Sequence, residues 1–305
     1  MLFIILNFFV PLSSSFEYIY RRKGVLIMIN SFFLPAEDIE RTLDTDIAAM
    51  NNITGAMIYA LADPSIQALL PPPLKLAETP MLIMYASSIG APLFAEPYRE
   101  AGIGVMTALT GAQGKGHEGL YYFSLLLSGE GAQNATFFGR EQSGLPKKIA
   151  DSIVLQRNRK QAGFYVERNG IRLMEAQMEL GYYNDPDFSN GLENLDQGIE
   201  EEAAVFTHRY KMAEGRYIDM GVNLYDSKTL FYQYEPACAR VLLRSSENDP
   251  WGEIKIARVL GGSWYKNNNW VEGVTEIYSY PDSEVLQIMR YLYAGRFDVF
   301  PDLFK

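Results

Sequence analysis

From residue 53 to residue 279 the chain consists of short apolar runs, rich in β-branched and aromatic residues, broken by turn residues at close intervals. ITGAMIYALA (53–62), PMLIMYASS (80–88), IGVMTALTG (103–111), GLYYFSLLLSG (119–129) and ATFFG (135–139) all have this character. Such residues suit a pleated, half-buried surface better than a helix. No regular alternation of strand and helix patterns runs through them, which argues against a parallel sheet built from helical crossovers. Residues 162–180 read as a hairpin, because Asn169-Gly170 is a favoured two-residue turn between alternating runs. Further strands are expected over 216–225, 237–244, 252–260 and 272–279. The reading is one mainly β, α+β domain: an antiparallel, barrel-like sheet with a few peripheral helices.

Three segments carry helix signals. Residues 34–50 place Pro35 in a first turn, acids near the start, and Ile39, Leu43 and Ile47 four apart. Asp63-Pro64 is expected to cap a short helix that ends before the triple proline 71–73. Residues 281–295 read as a closing helix, capped by Asp282 or Ser283, with Val285, Ile288, Met289 and Leu292 on one face and Gly295 at its stop. The acidic stretch 193–202 reads as a solvated helix or loop between two sets of strands. No repeat or low-complexity linker divides residues 46–305, which are taken as the domain, with 1–45 as an N-terminal extension.

Charge narrows the partners. A net charge of −10 disfavours nucleic acid and anionic lipid surfaces, which need a basic face. With one cysteine, Cys238, and two histidines, His117 and His208, a Cys/His metal cluster is not expected and no intrachain disulfide can form. Both histidines read as surface residues and Cys238 as a small core residue. The apolar run Leu2–Val10 has the size of a signal-peptide core but no basic residue before it; Arg21-Arg22-Lys23 follows it instead. It is read as signal-like, or as an extension ahead of a working start at Met28. The domain itself is expected in the cytoplasm, with export left open by that run. The sequons at Asn52 and Asn134 matter only in a secreted eukaryotic protein.

Chemistry is sparse. GAQGKGHEG (111–119) is glycine-rich but lacks phosphate-loop spacing, so it reads as a strand-joining loop. The Pro146-Lys147-Lys148 turn would be a solvated surface feature if taken alone. Its surroundings give it weight, since Arg140, Glu141 and Gln142 precede it and an apolar pair follows it.

GREQSGLPKKIA (139–150) resembles the signature of the acetoacetate decarboxylase family, in which Gly-Arg-Glu leads to Pro-Lys-Lys. The similarity is collinear over about residues 50–295: YALADPSIQALLPPPL (59–74), PYREAGIGV (97–105), GHEGLYYFSLLL (116–127), NGIRLMEAQMELGY (169–182) and VLGGSWY (259–265) all have family counterparts. The lysine segment is its one specific motif. The resemblance implies Lys147 as the nucleophile that forms a Schiff base with a keto acid, and Lys148 as a cationic neighbour that helps keep it unprotonated. It implies Glu100 as a second catalytic residue, with Tyr85, Arg140, Glu141, Gln142 and Trp264 as pocket candidates. It implies no metal or organic cofactor, a small keto-acid partner and a homo-oligomer. Since a lysine in water titrates at about 10.4, a reactive amine calls for a dry pocket or a neighbouring like charge.

Two positions depart from the family's decarboxylases. Asn52 falls where they carry an arginine that helps receive the substrate carboxylate, and Tyr85 falls where they carry a second glutamate. Relatives that keep the lysine but catalyse aldol condensation and dehydration share such departures. Decarboxylation of a β-keto acid, aldolase–dehydratase chemistry and a non-catalytic ligand-binding barrel are therefore all carried forward.

Overall fold

The computed structural model describes residues 20–22, 25–27, 35–40, 46–110, 116–193 and 198–299. The chain divides into two compact units, residues 1–44 and 45–305. In the first, β1 (Tyr20–Arg22) pairs antiparallel with β2 (Val25–Ile27), and α1 covers Ala36–Glu40. The apolar run at 2–10, residues 41–45 of the expected first helix and residues 111–115 of the glycine-rich segment lie outside the described residues.

The second unit runs β3 (Met50–Ala62), β4 (Lys75–Leu76), β5 (Met81–Pro92), β6 (Tyr98–Thr110), β7 (Gly116–Ser128), α2 (Ala132–Ser143), β8 (Lys147–Ile149), β9 (Ser152–Asn158), β10 (Gln161–Arg168), β11 (Ile171–Leu180), β12 (Ile199–Ala213), β13 (Arg216–Leu243), β14 (Ile256–Ser279) and α3 (Val285–Arg296). Its strands form one 12-stranded sheet in the order β12-β7-β6-β5-β3-β14-β13-β11-β10-β9, with β4 on β6 and β8 on β7. A further pairing of β12 with β13 closes the path β12-β7-β6-β5-β3-β14-β13 on itself. The result is barrel-like and mostly antiparallel, with two parallel contacts, β7 with β8 and β7 with β12.

Local chemistry accounts for most elements. The β10–β11 hairpin turns at Asn169 and Gly170, both left-handed at φ 52° and 72°. Asp63 accepts a hydrogen bond from the Ser65 N–H and starts a 3₁₀ turn over Pro64–Leu69. α3 follows the expected apolar stripe but runs through Gly295 to Arg296, and Glu284 at its N-cap makes no side-chain cap bond.

Four expectations are corrected. ATFFG lies inside α2, because Ala132, Ala135, Thr136, Gly139 and Ser143 make one narrow buried face of small residues at helical spacing. That packing outweighs the strand preference of Thr-Phe-Phe. The acidic stretch enters β12, whose residues pair with β13 from Ile199↔Phe231 to Ala213↔Arg216. His208 therefore lies on a strand, not on the surface: it is 1% exposed, and its Nε2 is 3.2 Å from the Tyr280 hydroxyl. The four short strands expected after residue 216 merge into β13, of 28 residues, and β14, of 24 residues; residues 251–253 are a 3₁₀ turn.

Strands β3, β5, β6 and β7 are covered on both faces. Alternate residues point to opposite sides of a strand. Leu82, Met84 and Ala86 of β5 join a cluster with Phe164, Val166, Met174 and Met178 of β10 and β11. Tyr85 and Ile89 face the other way, into a cluster with Leu125, Ala135, Val205, Tyr225, Phe231 and Tyr265.

Candidate active site

The GREQSGLPKKIA segment is a helix, a cap, a turn and a strand. α2 ends at Gly144, left-handed at φ 70°, whose N–H bonds the Gly139 and Arg140 carbonyls. The chain then reverses. Leu145 N–H returns to the Gly139 carbonyl at 3.1 Å, and the Pro146 carbonyl accepts from Leu125 N–H of β7 at 2.9 Å. Lys147 thereby pairs with Leu125, and its side chain folds back along α2. A Cβ at Gly139 would lie 2.7–2.9 Å from Lys147 Cε, Cδ and Nζ, so the motif's first glycine makes room for the lysine stem.

Register then gathers the site. One row across the sheet reads Met57, Tyr85, Gly102, Leu125, Lys147. The next reads Tyr234, Tyr265, Gly55, Ser87, Glu100, Leu127. Both rows lie on the same face, so residues from seven strands converge there. Lys147 is 4% exposed, and its Nζ lies 2.8 Å from Glu100 Oε2. Tyr85 donates its hydroxyl to Glu100 Oε1 at 2.7 Å. Ser87 Oγ and the Tyr265 hydroxyl are 2.7 Å apart. Burial, then the Glu100 charge, pushes the Tyr85 hydroxyl well above the ordinary phenol range. Burial likewise raises Tyr98, Tyr122, Tyr225 and Tyr265, each with a contribution from Glu100. The site therefore pairs one amine with one carboxylate inside a collar of phenols that remain protonated donors at neutral pH.

Lys148 points to the opposite face, as the strand period demands. Its Nζ lies 2.6 Å from Asp249 Oδ1 and 3.2 Å from Asp298 Oδ1, and bonds the Asn248 and Ala294 carbonyls at 2.9 Å. Arg168 completes the cluster with 2.7 Å contacts to both aspartates. Burial alone would raise the Asp298 carboxyl, but bonds from Arg168 and the Lys148 charge outweigh it and hold the group below its ordinary value. The expected like charge beside Lys147 is thus turned away and neutralised. Lys148 anchors the strand that carries Lys147.

The other pocket candidates separate. Arg140 bonds the Arg296 carbonyl at 3.1 Å and lies over the Phe297 ring, outside the Lys147 cluster. Glu141 and Gln142 are on the exposed side of α2. Trp264 is buried in the opposite cluster, in the row of Ala56, because it is one residue out of phase with Tyr265. Asn52 is exposed, left-handed at φ 55° and bonded through its N–H to Asn268. Ser87 and Tyr265 are the residues that sequence reasoning missed. Their signal is the register across β14, β3 and β5, which is readable only once the strands are paired.

The comparisons agree on the fold. The family model described as acetoacetate decarboxylase (ADC) matches residues 39–280. A "CLA biosynthesis isomerase" of Lactiplantibacillus plantarum is 31% identical over 245 residues, covering 77% of this chain and 84% of that protein. A crystal structure of acetoacetate decarboxylase from Legionella pneumophila aligns with a TM-score of 0.62 at 18% identity, over 76% of this chain and 87% of that one. The enduracididine biosynthesis enzyme MppR, complexed with the condensation product of pyruvate and imidazole 4-carboxaldehyde, aligns with a TM-score of 0.58 at 12% identity, over 75% and 89% of the two chains.

Proposed function

The chain belongs to the acetoacetate decarboxylase family, and from that membership we propose that it is an enzyme that condenses the Lys147 amine with the carbonyl of a small ketone or keto acid. The observation that supports this most directly is the buried Lys147–Glu100 contact at 2.8 Å. In the proposed sequence Glu100 takes a proton from the ammonium, and the freed amine attacks the carbonyl carbon. A proton passes from the attacking nitrogen to the carbonyl oxygen to give a carbinolamine; Glu100 then returns its proton to that hydroxyl, water leaves, and a protonated imine remains. That imine draws electrons from the next carbon and is itself the electron sink.

The next step is read as proton transfer at that carbon, with Glu100 as base and acid and Tyr85 holding its carboxylate in line. Among the described residues, Lys147 is the buried cation that faces this cluster: Lys148 and Arg168 are paired with aspartates, and Arg296 bonds the Gly144 and His208 carbonyls. A substrate carboxylate beside the imine would meet Glu100 with no other buried cation among the described residues to receive it. This favours a neutral ketone function at Lys147 and isomerisation or condensation there. The apolar lining supports a second reading, decarboxylation of a β-keto acid, because loss of neutral carbon dioxide relieves a charge held in a dry site.

Borohydride reduction in the presence of pyruvate, acetoacetate or butan-2-one tests the common step. An irreversible adduct on Lys147, found by peptide mass spectrometry and absent from Lys147→Ala, is expected. No adduct with any of the three removes the enzymatic reading in favour of a binding barrel. Carbon dioxide release from acetoacetate, set against deuterium exchange next to the ketone of butan-2-one, separates the two chemistries.

A further inference from the structure

Beside Glu100 is a pair of hydroxyls that the proposed mechanism does not use. Ser87 is directly opposite Glu100 in the β5–β6 register, and Tyr265 reaches it from two strands further on, across Gly55. The arrangement is built for that reach. A Cβ on Gly55 would lie 2.3 Å from Tyr265 Cζ and 2.4 Å from its hydroxyl, so the phenol rests in a trough that only glycine leaves open. Ser87 is 5% exposed and Tyr265 3%, and their oxygens are 2.7 Å apart.

Hydrogen counting shows what the pair lacks. Two hydroxyls hold two donor hydrogens, and the bond between them uses one, whichever oxygen donates. Among the described residues no other side-chain or backbone bond is made by Ser87 Oγ or the Tyr265 hydroxyl, so one buried O–H is left without an acceptor. Directly opposite residues of paired strands have Cβ atoms about 5 Å apart, so Ser87 is an immediate cross-strand neighbour of Glu100, whose carboxylate contacts the Lys147 amine.

We propose that the Ser87–Tyr265 pair is a second oxygen-binding point of the site, taking a hydroxyl or carbonyl oxygen two to four bonds from the carbon condensed with Lys147. The favoured substrate class is then an oxygenated ketone, such as a β-hydroxy ketone or a diketone. This rests on the Schiff-base reading of Lys147 and adds a specificity determinant to it.

Two ketones of nearly equal shape test it: 4-hydroxybutan-2-one and pentan-2-one, which exchange a hydroxyl for a methyl group. Half-saturation for borohydride trapping on Lys147 is measured for each with the wild-type chain, Tyr265→Phe and Ser87→Ala. The wild-type chain is expected to half-saturate with the hydroxyketone at about tenfold lower concentration, since a site that hydrogen-bonds a hydroxyl discriminates against its absence. Both variants should lose that preference, the ratio of the two half-saturation values falling to about one. Equal half-saturation in the wild-type chain, a preference that survives in both variants, or loss of pentan-2-one trapping in both variants overturns the oxygen-binding role and leaves the Schiff base standing. Trapping of neither ketone by the wild-type chain overturns the Schiff base and this role together.

Discussion

At the scale of single residues, the site depends on a carboxylate held at both oxygens. Glu100 meets Lys147 through Oε2 and Tyr85 through Oε1. Glu100→Gln keeps the shape and removes the charge and the proton acceptor. It is expected to slow adduct formation on Lys147 by about 10²–10⁴-fold, the usual range for a lost acid–base group. Tyr85→Phe removes one donor and is expected to slow it by about tenfold, consistent with loss of a single hydrogen bond to a charged group. Single-turnover trapping rates read both; an unchanged rate in Glu100→Gln would remove the carboxylate from the mechanism. Gly139→Ala should also depress trapping, because its methyl group would occupy the space of the lysine stem.

At the scale of elements, β8 is three residues long and yet places two lysines with opposite fates. Its outer lysine, Lys148, is clamped by Asp249, which is 1% exposed, and by Asp298. Removing one member of a buried ion cluster strands the other charges, at about 3–5 kcal/mol. Lys148→Ala is therefore expected to lower the urea midpoint by that much stability with an unchanged slope, and to lower Lys147 trapping as the strand loosens. The alternation of strand residues makes this division legible in the letters Lys-Lys once the segment is known to be extended. It was obscured by the neighbouring helix, whose Thr-Phe-Phe reads as strand until the small residues at 132, 135, 136, 139 and 143 are seen to share one face. Lys147 and Glu100 could be picked out as candidates through a family motif and a short Tyr-x-Glu segment. Ser87, Tyr265 and the true place of Trp264 were not. A one-residue change of phase moves a side chain to the other face, and only pairing fixes the phase.

At the scale of the whole molecule, burial of His208 makes folding sensitive to acid. Desolvation, with the charge of Arg296, pushes its imidazole down to about 3. In the unfolded chain the group titrates at about 6.5. Between those values the unfolded state holds the extra proton, so stability is retained above about pH 6.5 and falls as pH drops toward 3, by up to ~1.4 kcal/mol per pH unit. Tyr280 gives its hydroxyl hydrogen to the Pro72 carbonyl at 2.8 Å, so its oxygen accepts from His208 Nε2–H. Denaturant titrations at pH 7 and pH 5 should show His208→Gln losing about 2 kcal/mol less than the wild-type chain over that interval. An equal loss in both proteins would assign the acid sensitivity elsewhere.

The two longest strands have a further consequence. β13 pairs with β12 along its first half and with β11 along its second, while β14 follows it along most of its length. A single continuous backbone thus contributes to both hydrophobic layers, so the opening of one should be coupled to the opening of the other. Amide hydrogen exchange should accordingly find residues 221–240 behaving as one cooperative block with a common opening free energy. Two separately exchanging halves, divided near residue 232, would show that the layers melt independently.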